Sequence, residues 1–247
     1  MRVRSRKRNH KPLLFTMIRI KTIPQFLSCF MLLFFVQTIN AQDWANLERF
    51  KAKNSMLTSP KENETRVVLM GNSITEGWSN SRPDFFKDKP YINRGISGQT
   101  TPQMLVRFRQ DVIALAPTVV VILAGINDIA GNTGPSSLEM IANNIFSMAE
   151  LAQTHNIKVV LCSVLPAYDF PWSPGLKPAP KVVKLNAMIK QYALENKFVY
   201  LDYFVAMANQ FDGLKKELGY DGVHPNAAGY ATMEPLLEAA IKQAITN

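Results

Sequence analysis

The chain has 247 residues, of which 47% are hydrophobic and 19% are charged. This composition excludes a disordered protein, and the length suits one domain of about 200 residues with a sizeable core. A formal net charge of +9 would fit a nucleic-acid binder if the charge were spread over a folded surface. Eight of the basic residues, however, precede the first acidic residue, Asp43, and without them bases and acids nearly balance. We therefore expect no nucleic-acid partner.

The first part of the chain is typical of an export signal. An apolar run over residues 26–36 follows two basic residues and is soon followed by the small residue Ala41. The run is shorter than the roughly 20 residues that cross a bilayer. We expect residues 1–41 to be a signal peptide and the mature protein to be secreted or periplasmic, without a stable membrane span. The alternative is an uncleaved membrane anchor. Residues 1–16 fit an over-long start, because Met17 is a more usual beginning for such a leader.

Beyond the leader, apolar runs alternate with helical patterns. Residues 42–65 are polar and predict a short helix and a loop ahead of a domain over residues 66–247. Near-continuous apolar runs, which suit strands buried on both faces of a parallel sheet, occupy residues 66–70, 118–124, 157–164 and 198–201. Residues 91–93 are a shorter candidate strand. Apolar stripes at helical spacing occupy residues 101–115, 137–154, 181–195 and 227–245. The alternation predicts a three-layer α/β/α fold with a parallel sheet of about five strands.

Ligands of open parallel sheets bind beyond the carboxyl ends of the strands, so the residues that follow each strand are the first candidates for chemistry. Ser73 follows the first predicted strand and becomes a nucleophile if a base removes its proton. Gly98 has no Cβ and can bring its backbone N–H close to a ligand, while Asn127 offers a side-chain amide donor. Each has a plain alternative when taken alone, namely a helix cap at Ser73 and simple turns at the other two.

Few histidines and cysteines remain after the leader. His155 ends a helical pattern and is interpreted as a solvated helix-end residue. His224 lies three residues after Asp221, whose carboxylate can reach the imidazole Nδ1–H and fix its tautomer; the alternative is a capping turn. Cys162 stands alone in an apolar run, which favours a small core residue and excludes a disulfide within the mature chain.

Four short blocks occur in a recognisable order. They are Gly-Asn-Ser-Ile-Thr at Ser73, Gly-Ile-Ser-Gly-Gln-Thr-Thr around Gly98, Gly-x-Asn-Asp at Asn127 and Asp-x-x-His ending at His224. This order resembles the SGNH (GDSL) hydrolase superfamily over about residues 67–229. The second and third blocks are similar to those of the platelet-activating-factor acetylhydrolase-like esterase group.

The resemblance implies a flavodoxin-like sheet and a serine ester hydrolase. It makes Ser73 the nucleophile, His224 the general base and then general acid, and Asp221 the residue that orients His224. It also implies an oxyanion hole built from the backbone N–H groups of Ser73 and Gly98 and from the side chain of Asn127.

One residue departs from the family pattern. Asn72 stands where the family has the Asp of Gly-Asp-Ser, and because that Asp is not a triad member we expect the change to be tolerated. We expect no cofactor and no metal, since the remaining histidines and Cys162 have no zinc-like spacing and no dinucleotide or P-loop motif occurs.

Residues that border the substrate are harder to assign. The proline-rich segment 166–180 follows the fourth predicted strand and is expected to line an acyl pocket or stack on a sugar; the alternative is a rigid connector that covers the core. Trp78, just behind the nucleophile, and Arg94, which could meet an anionic group or form a structural ion pair, are also predicted to lie near the pocket. The segment carries three aromatic candidates, Tyr168, Phe170 and Trp172.

The sequence therefore predicts a secreted serine ester hydrolase that removes short acyl groups, acetyl above all, from a small-molecule or glycan ester. The first alternative is a carbohydrate O-acetylesterase that acts on a polysaccharide or glycan. The second, from another class of protein, is a glycan-binding domain without catalysis, which the presence of Ser73, Asn127 and His224 together disfavours.

Overall fold

The computed structural model describes residues 43–247. The predicted leader and its cleavage position after Ala41 lie outside the described residues. Within residues 43–247, no helix is both long enough and apolar enough to cross a membrane.

A five-stranded parallel sheet forms the centre of the molecule, as the sequence predicted. Its strands are β1 (Val67–Gly71), β2 (Tyr91–Gly95), β3 (Val119–Leu123), β4 (Lys158–Cys162) and β5 (Val199–Leu201). They lie in the order β2-β1-β3-β4-β5, and Val67 of β1 pairs with Tyr91 on one side and Val119 on the other. Every residue of β1 and β3 is buried, because helices cover both faces of the sheet. The prediction of a three-layer α/β/α fold is confirmed.

Helices connect the strands and form the two outer layers. In chain order they are α1 (Lys51–Ser55), α2 (Ser73–Ser81), α3 (Pro83–Phe86), α4 (Thr101–Asp111), α5 (Ile126–Ile129), α6 (Leu138–Thr154), α7 (Ala179–Glu195), α8 (Tyr203–Met207) and α9 (Ala227–Thr246). Helices α4, α6 and α7 pack side by side, whereas α2 packs with α9. This grouping follows from right-handed crossovers that place successive helices on one face or the other.

Two of the long helices, α4 and α6, begin at residues whose side chains cap them. Thr100 and Gln103 form a capping box at the start of α4, and the Ser137 hydroxyl accepts a hydrogen bond from the Met140 N–H at the start of α6. The helix predicted over residues 101–115 ends earlier, at Asp111. A short 3-10 turn follows it before the chain reverses.

The segment before β1 is packed onto α4. Phe50 is buried, and the Asn54 side chain donates to the Gln110 carbonyl at 3.1 Å and to the Asp111 carboxylate at 2.7 Å. The Gln99 side chain donates to the Ala45 carbonyl at 2.8 Å. These contacts attach the residues ahead of the sheet to the loop and helix that follow β2.

The strand order reverses at β1. The chain leaves β1 to form β2 on one side and then returns to form β3 on the other. Such a switch opens a crevice at the carboxyl ends of the two strands that flank it. Ser73 directly follows β1 and Asn127 follows β3, so both lie at this crevice.

Candidate active site

Asn72 and Ser73 form the junction between β1 and α2. Asn72 is the N-cap, and its side-chain oxygen accepts a hydrogen bond from the Ile74 N–H at 3.1 Å. The amide oxygen thus makes the capping bond that a carboxylate oxygen could make at this position. Asn72 is 1% exposed, so a neutral amide here avoids the burial of a charge.

Ser73, His224 and Asp221 form a chain of hydrogen bonds. The Ser73 Oγ lies 2.9 Å from the His224 Nε2, and the His224 Nδ1 lies 2.7 Å from the Asp221 Oδ2. The second carboxylate oxygen accepts the backbone N–H groups of Val223 and His224, at 2.9 and 2.7 Å. Partial burial acts to raise the pKa of Asp221, but these hydrogen bonds outweigh it and hold the pKa below its ordinary value.

The ionised carboxylate fixes the tautomer of His224. A carboxylate without a proton can only accept, so the hydrogen between Asp221 and His224 must sit on the imidazole Nδ1. The Nε2 of the neutral ring then carries a lone pair and accepts the Ser73 hydroxyl. The arrangement can therefore take a proton from the serine and return it later.

Three hydrogen-bond donors lie at the same cleft. Within the described part of the chain, the backbone N–H groups of Ser73 and Gly98 have no partner. Gly98 adopts φ +78°, a conformation that favours glycine, and no atom lies within 4 Å of where a Cβ would be. The Asn127 amide donates one hydrogen to the Gln99 carbonyl at 2.9 Å, so its second hydrogen is available to a ligand.

The helix that Ser73 begins also holds the loop that carries Gly98. The Glu76 carboxylate accepts the Ser97 N–H at 2.8 Å and also the Ser97 hydroxyl. Its other oxygen accepts from Arg49 at 2.7 Å. Burial acts to raise the pKa of Glu76, and the contacts with Ser97 and Arg49 lower it below its ordinary value. An ionised Glu76 thus fixes one side of this loop.

Arg107 holds the other side of the loop. Its guanidinium is fully buried and donates to the Gln99 side chain at 2.6 Å. It also donates to the carbonyls of Gly71 and Arg94, at 3.1 and 2.8 Å, and so joins the ends of β1 and β2. Burial lowers the pKa of Arg107, and the carboxylate of Asp111, paired with it at 3.1 Å, opposes that shift. Sequence patterns did not point to Glu76 or Arg107, because their partners are distant along the chain.

Ser73 lies at the surface of a cleft with a volume of about 730 Å³. Ser73, Gly98, Asn127 and His224 line it, so the structure brings these predicted residues together. Asn132 also lines the cleft and donates to the Gly98 carbonyl at 3.1 Å. Within residues 43–247, no Leu, Ile, Val, Met or Phe side chain lines it.

Two predicted pocket residues do not reach the cleft. Trp78 is 2% exposed and lies between the rings of Phe85 and Tyr230, at 5.5 and 5.4 Å, so it is part of the core. Arg94 is buried and donates to the Asn54 side chain at 2.6 Å. Both predictions were wrong, because α2 and the end of β2 direct these side chains inward.

The proline-rich segment contributes one of its three aromatic residues. Trp172 lines the cleft, and its ring lies 5.9 Å from that of His224. Phe170 is fully buried behind Trp172, whereas Tyr168 is exposed against Phe211 and outside the cleft lining. The predictions for Phe170 and Tyr168 as pocket residues were therefore wrong, since the segment directs Phe170 into the core and Tyr168 away from the cleft.

Tyr220 is a lining residue that the sequence did not indicate. Its ring stacks on the imidazole of His224 with 5.6 Å between centroids and 12° between planes. It lies in a loop that has no apolar periodicity. Its position next to Asp221 in the sequence was the only signal that could have found it.

Cys162 and His155 have the structural roles expected of them. Cys162 is buried, and burial raises the pKa of its thiol far above the ordinary value, so the thiol is inert. His155 lies at the end of α6 with its Nδ1 2.8 Å from the Leu151 carbonyl. Among residues 43–247, no group of three or more His, Cys, Asp or Glu side chains could hold a metal ion.

The parallel sheet and its serine-centred cleft place the protein in the class of three-layer α/β/α ester hydrolases. Residues 69–232 match the model of the GDSL-like Lipase/Acylhydrolase family. The chain belongs to this family, and the prediction of a carboxylic ester hydrolase is confirmed.

Solved structures of two Bacteroides proteins are similar over most of the chain. A GDSL-like lipase from Bacteroides thetaiotaomicron is 50% identical, with 81% of this chain and 98% of that chain covered and a TM-score of 0.79. A protein from Bacteroides fragilis is also 50% identical, with 83% and 99% covered and a TM-score of 0.81. An acetylxylan esterase from Xylanibacter ruminicola is 27% identical over 75% of this chain, which spans 45% of that longer protein.

Proposed function

We propose that the protein is a serine ester hydrolase that removes short acyl groups, acetyl above all, and that residues 1–41 direct it out of the cytoplasm. The observation that carries the proposal is the 2.9 Å contact between the Ser73 Oγ and a His224 whose other nitrogen is held by Asp221. A serine is a weak nucleophile until such a base removes its proton.

In the first half of the proposed reaction, the Ser73 Oγ attacks the carbonyl carbon of the ester while the His224 Nε2 takes the hydroxyl proton. The electron pair of the carbonyl moves to its oxygen. In this proposal the N–H groups of Ser73 and Gly98 and the free hydrogen of the Asn127 amide stabilise that oxyanion. The intermediate then expels the alcohol, which takes the proton from His224 and leaves the acyl group on Ser73.

In the second half, a water molecule replaces the alcohol. His224 takes a proton from the water as the water oxygen attacks the acyl carbon, and the same donors stabilise the second oxyanion. Collapse of this intermediate breaks the bond to Ser73, which regains its proton from His224 and releases the carboxylic acid. Asp221 stays ionised throughout and stabilises the imidazolium.

A carbohydrate O-acetylesterase is the second candidate, and two observations favour it. The cleft lining described above includes no Leu, Ile, Val, Met or Phe that would receive a long alkyl chain. The relative from Xylanibacter ruminicola is named an acetylxylan esterase.

The proposal is tested with 4-nitrophenyl esters of increasing chain length and with acetylated sugars. We expect the highest kcat/KM for acetate and a steep fall as the chain lengthens. Ser73→Ala should lower kcat by about 10³-fold or more, because the nucleophile is lost. Asn127→Ala should lower it by about 10²- to 10³-fold, because one oxyanion donor is lost.

Ser79→Ala is the matched control, since Ser79 lies on the same helix and outside the cleft. This variant should keep wild-type turnover. Near-wild-type turnover by folded Ser73→Ala would reject the mechanism. A folded wild-type protein that hydrolyses none of the esters would favour a glycan-binding domain without catalysis, and preference for acetylated glycans would favour the second candidate.

A further inference from the structure

Two exposed aromatic rings flank His224 at the cleft. Trp172, between β4 and α7, is 49% exposed, and Tyr220, ahead of α9, is 72% exposed. Their centroids lie 5.9 and 5.6 Å from that of the imidazole. Large aromatic side chains are usually buried or placed at a binding surface, because their apolar area is costly to leave in water. Their exposure next to the reacting residues points to a ligand.

Each ring is supported on one side by another ring. Phe170, fully buried, lies 5.2 Å behind Trp172 with 25° between planes. His224 supports Tyr220 in the same way. A ring that is already fixed loses little conformational entropy when a ligand packs on its open face.

The position beside His224 indicates which part of an ester the rings meet. In the proposed reaction His224 gives its proton to the oxygen of the leaving alcohol. Groups that flank His224 therefore border the alcohol part of the substrate, whereas the acyl carbonyl points to the donors of Ser73, Gly98 and Asn127.

The rest of the cleft wall indicates the chemistry of that alcohol. The wall presents amide and hydroxyl side chains, which form hydrogen bonds with hydroxyl groups. A pyranose ring meets both kinds of surface, because its C–H groups pack on aromatic rings and its hydroxyls bond to polar side chains at its rim. The polar side chains are those of Asn80, Ser81 and Asn132. Glu76 and Asn226 also line the cleft, but Glu76 already accepts from Ser97 and Arg49, and Asn226 caps α9.

We propose that Trp172 and Tyr220 form an aromatic subsite that binds a pyranose unit on the alcohol side of the ester bond. The subsite selects acetylated glycans over simple acetate esters. This inference rests on the proposed ester hydrolysis at Ser73 and adds the residues that determine its substrate.

The test compares kcat/KM for acetylated xylo-oligosaccharides with kcat/KM for ethyl acetate, which has no ring to stack. In the wild-type protein the ratio should favour the glycan. Trp172→Ala and Tyr220→Ala should each lower the ratio by about tenfold, mainly through a higher KM for the glycan ester. Trp172→Tyr and Tyr220→Phe keep an aromatic ring and should retain most of the ratio.

Phe211→Ala is the control for the loss of an exposed aromatic ring, because Phe211 is 64% exposed and outside the cleft lining. It should leave both rates unchanged. A ratio that is unchanged in Trp172→Ala and Tyr220→Ala would overturn the subsite, as would an equal loss on both esters, which would mean that the rings only position His224. Hydrolysis of ethyl acetate by the wild type and not by Ser73→Ala tests the proposed function separately.

Discussion

Asp128 is a buried carboxyl group next to the proposed oxyanion donor Asn127. It is 2% exposed, and both of its oxygens accept the Thr101 N–H at 3.0 Å. The Thr101 hydroxyl donates to it at 2.6 Å. Burial raises the pKa of Asp128 from 3.8 to about 6, although the hydrogen bonds from Thr101 act in the opposite direction. The folded protein therefore keeps a proton here that the unfolded chain releases at lower pH.

We predict that the titration of Asp128 makes the protein less stable as the pH rises from 3.8 to about 6. Between pH 3.8 and about 6 the folded state binds more protons at Asp128 than the unfolded state does, so the contribution of Asp128 to the free energy of unfolding falls as pH increases. The total change is on the order of 3 kcal/mol for a shift of about two pKa units.

Urea unfolding of the wild type and of Asp128→Asn across this pH range measures the effect. The asparagine has nearly the same shape and does not titrate. The variant should gain stability relative to the wild type as pH rises, and level off above the folded-state pKa. A stability difference that is constant with pH would contradict the prediction.

Residues with a role inside one short motif could be predicted from the sequence, whereas residues that act across segments could not. Ser73, Asp221 and His224 each lie in a recognisable block, and the structure brings them into contact. Glu76 and Arg107 hold the Gly98 loop through partners up to several tens of residues away, so no local pattern marks them. Trp78 was predicted to lie at the pocket because it is close to Ser73 in the sequence, but that closeness does not determine the direction of its side chain.

At the level of elements, the site depends on a close approach between α2 and the end of β2. A Cβ built on Gly95 would lie 2.7 Å from the Cα of Glu76 and from the carbonyl carbon of Thr75, and closer still to the Glu76 nitrogen. These are backbone atoms of the first turn of α2, which Ser73 begins. The contact is possible only because residue 95 has no side chain.

Gly95→Ala should therefore destabilise the protein and displace Ser73. Overpacking of this kind costs about 1–3 kcal/mol or more, because the backbone has to move. We expect a lower urea midpoint and a loss of esterase activity in the protein that remains folded.

Gly98→Ala separates steric overlap from backbone strain. Its φ of +78° makes alanine unfavourable by about 1–2 kcal/mol, but no atom lies within 4 Å of the new Cβ. The free energy of unfolding should fall less than in Gly95→Ala. A Gly95→Ala protein as stable as the wild type would show that α2 and β2 are not locked together as described.

Elements that carry a regular apolar pattern were predictable, because burial on one face or on both faces determines which residues are apolar. The strands β1 and β3 are buried on both faces and are therefore apolar throughout. Helix α6 is buried on one face and therefore carries an apolar stripe. Helix α2 was missed, since it has nine residues and is set by the Asn72 cap and by packing rather than by a long apolar stripe. Short elements are determined by the tertiary structure around them.

For the whole molecule, the site is assembled from segments that are far apart in the sequence. The order of the strands brings the residues after β1 and β3 to one crevice, and the turn before α9 adds Asp221 and His224. Residues ahead of the sheet also take part, since Arg49 pairs with Glu76 and the Ala45 carbonyl accepts from Gln99. The sequence predicted that the site lies beyond the carboxyl ends of the strands, but it predicted neither the order of the strands nor the support that residues 43–65 give to the site.

Charge is distributed unevenly along the whole chain. Basic residues concentrate ahead of Asp43, whereas the site described above lies entirely in the nearly balanced remainder. A basic start, an apolar run and the small residue Ala41 are what export machinery recognises. We expect the full chain, produced in a Gram-negative host, to appear in the periplasm with Gln42 as its first residue by mass spectrometry. A chain that begins at Met17 should be processed identically.

Leu32→Arg together with Leu33→Arg is the matched variant, because it puts charge into the apolar run and leaves residues 43–247 unaltered. This protein should stay in the cytoplasm, unprocessed, with wild-type esterase activity in a cell lysate. Loss of export with retained activity would show that the leader acts only in export and has no part in catalysis. A periplasmic protein that still carries residues 26–36 would instead support an uncleaved membrane anchor.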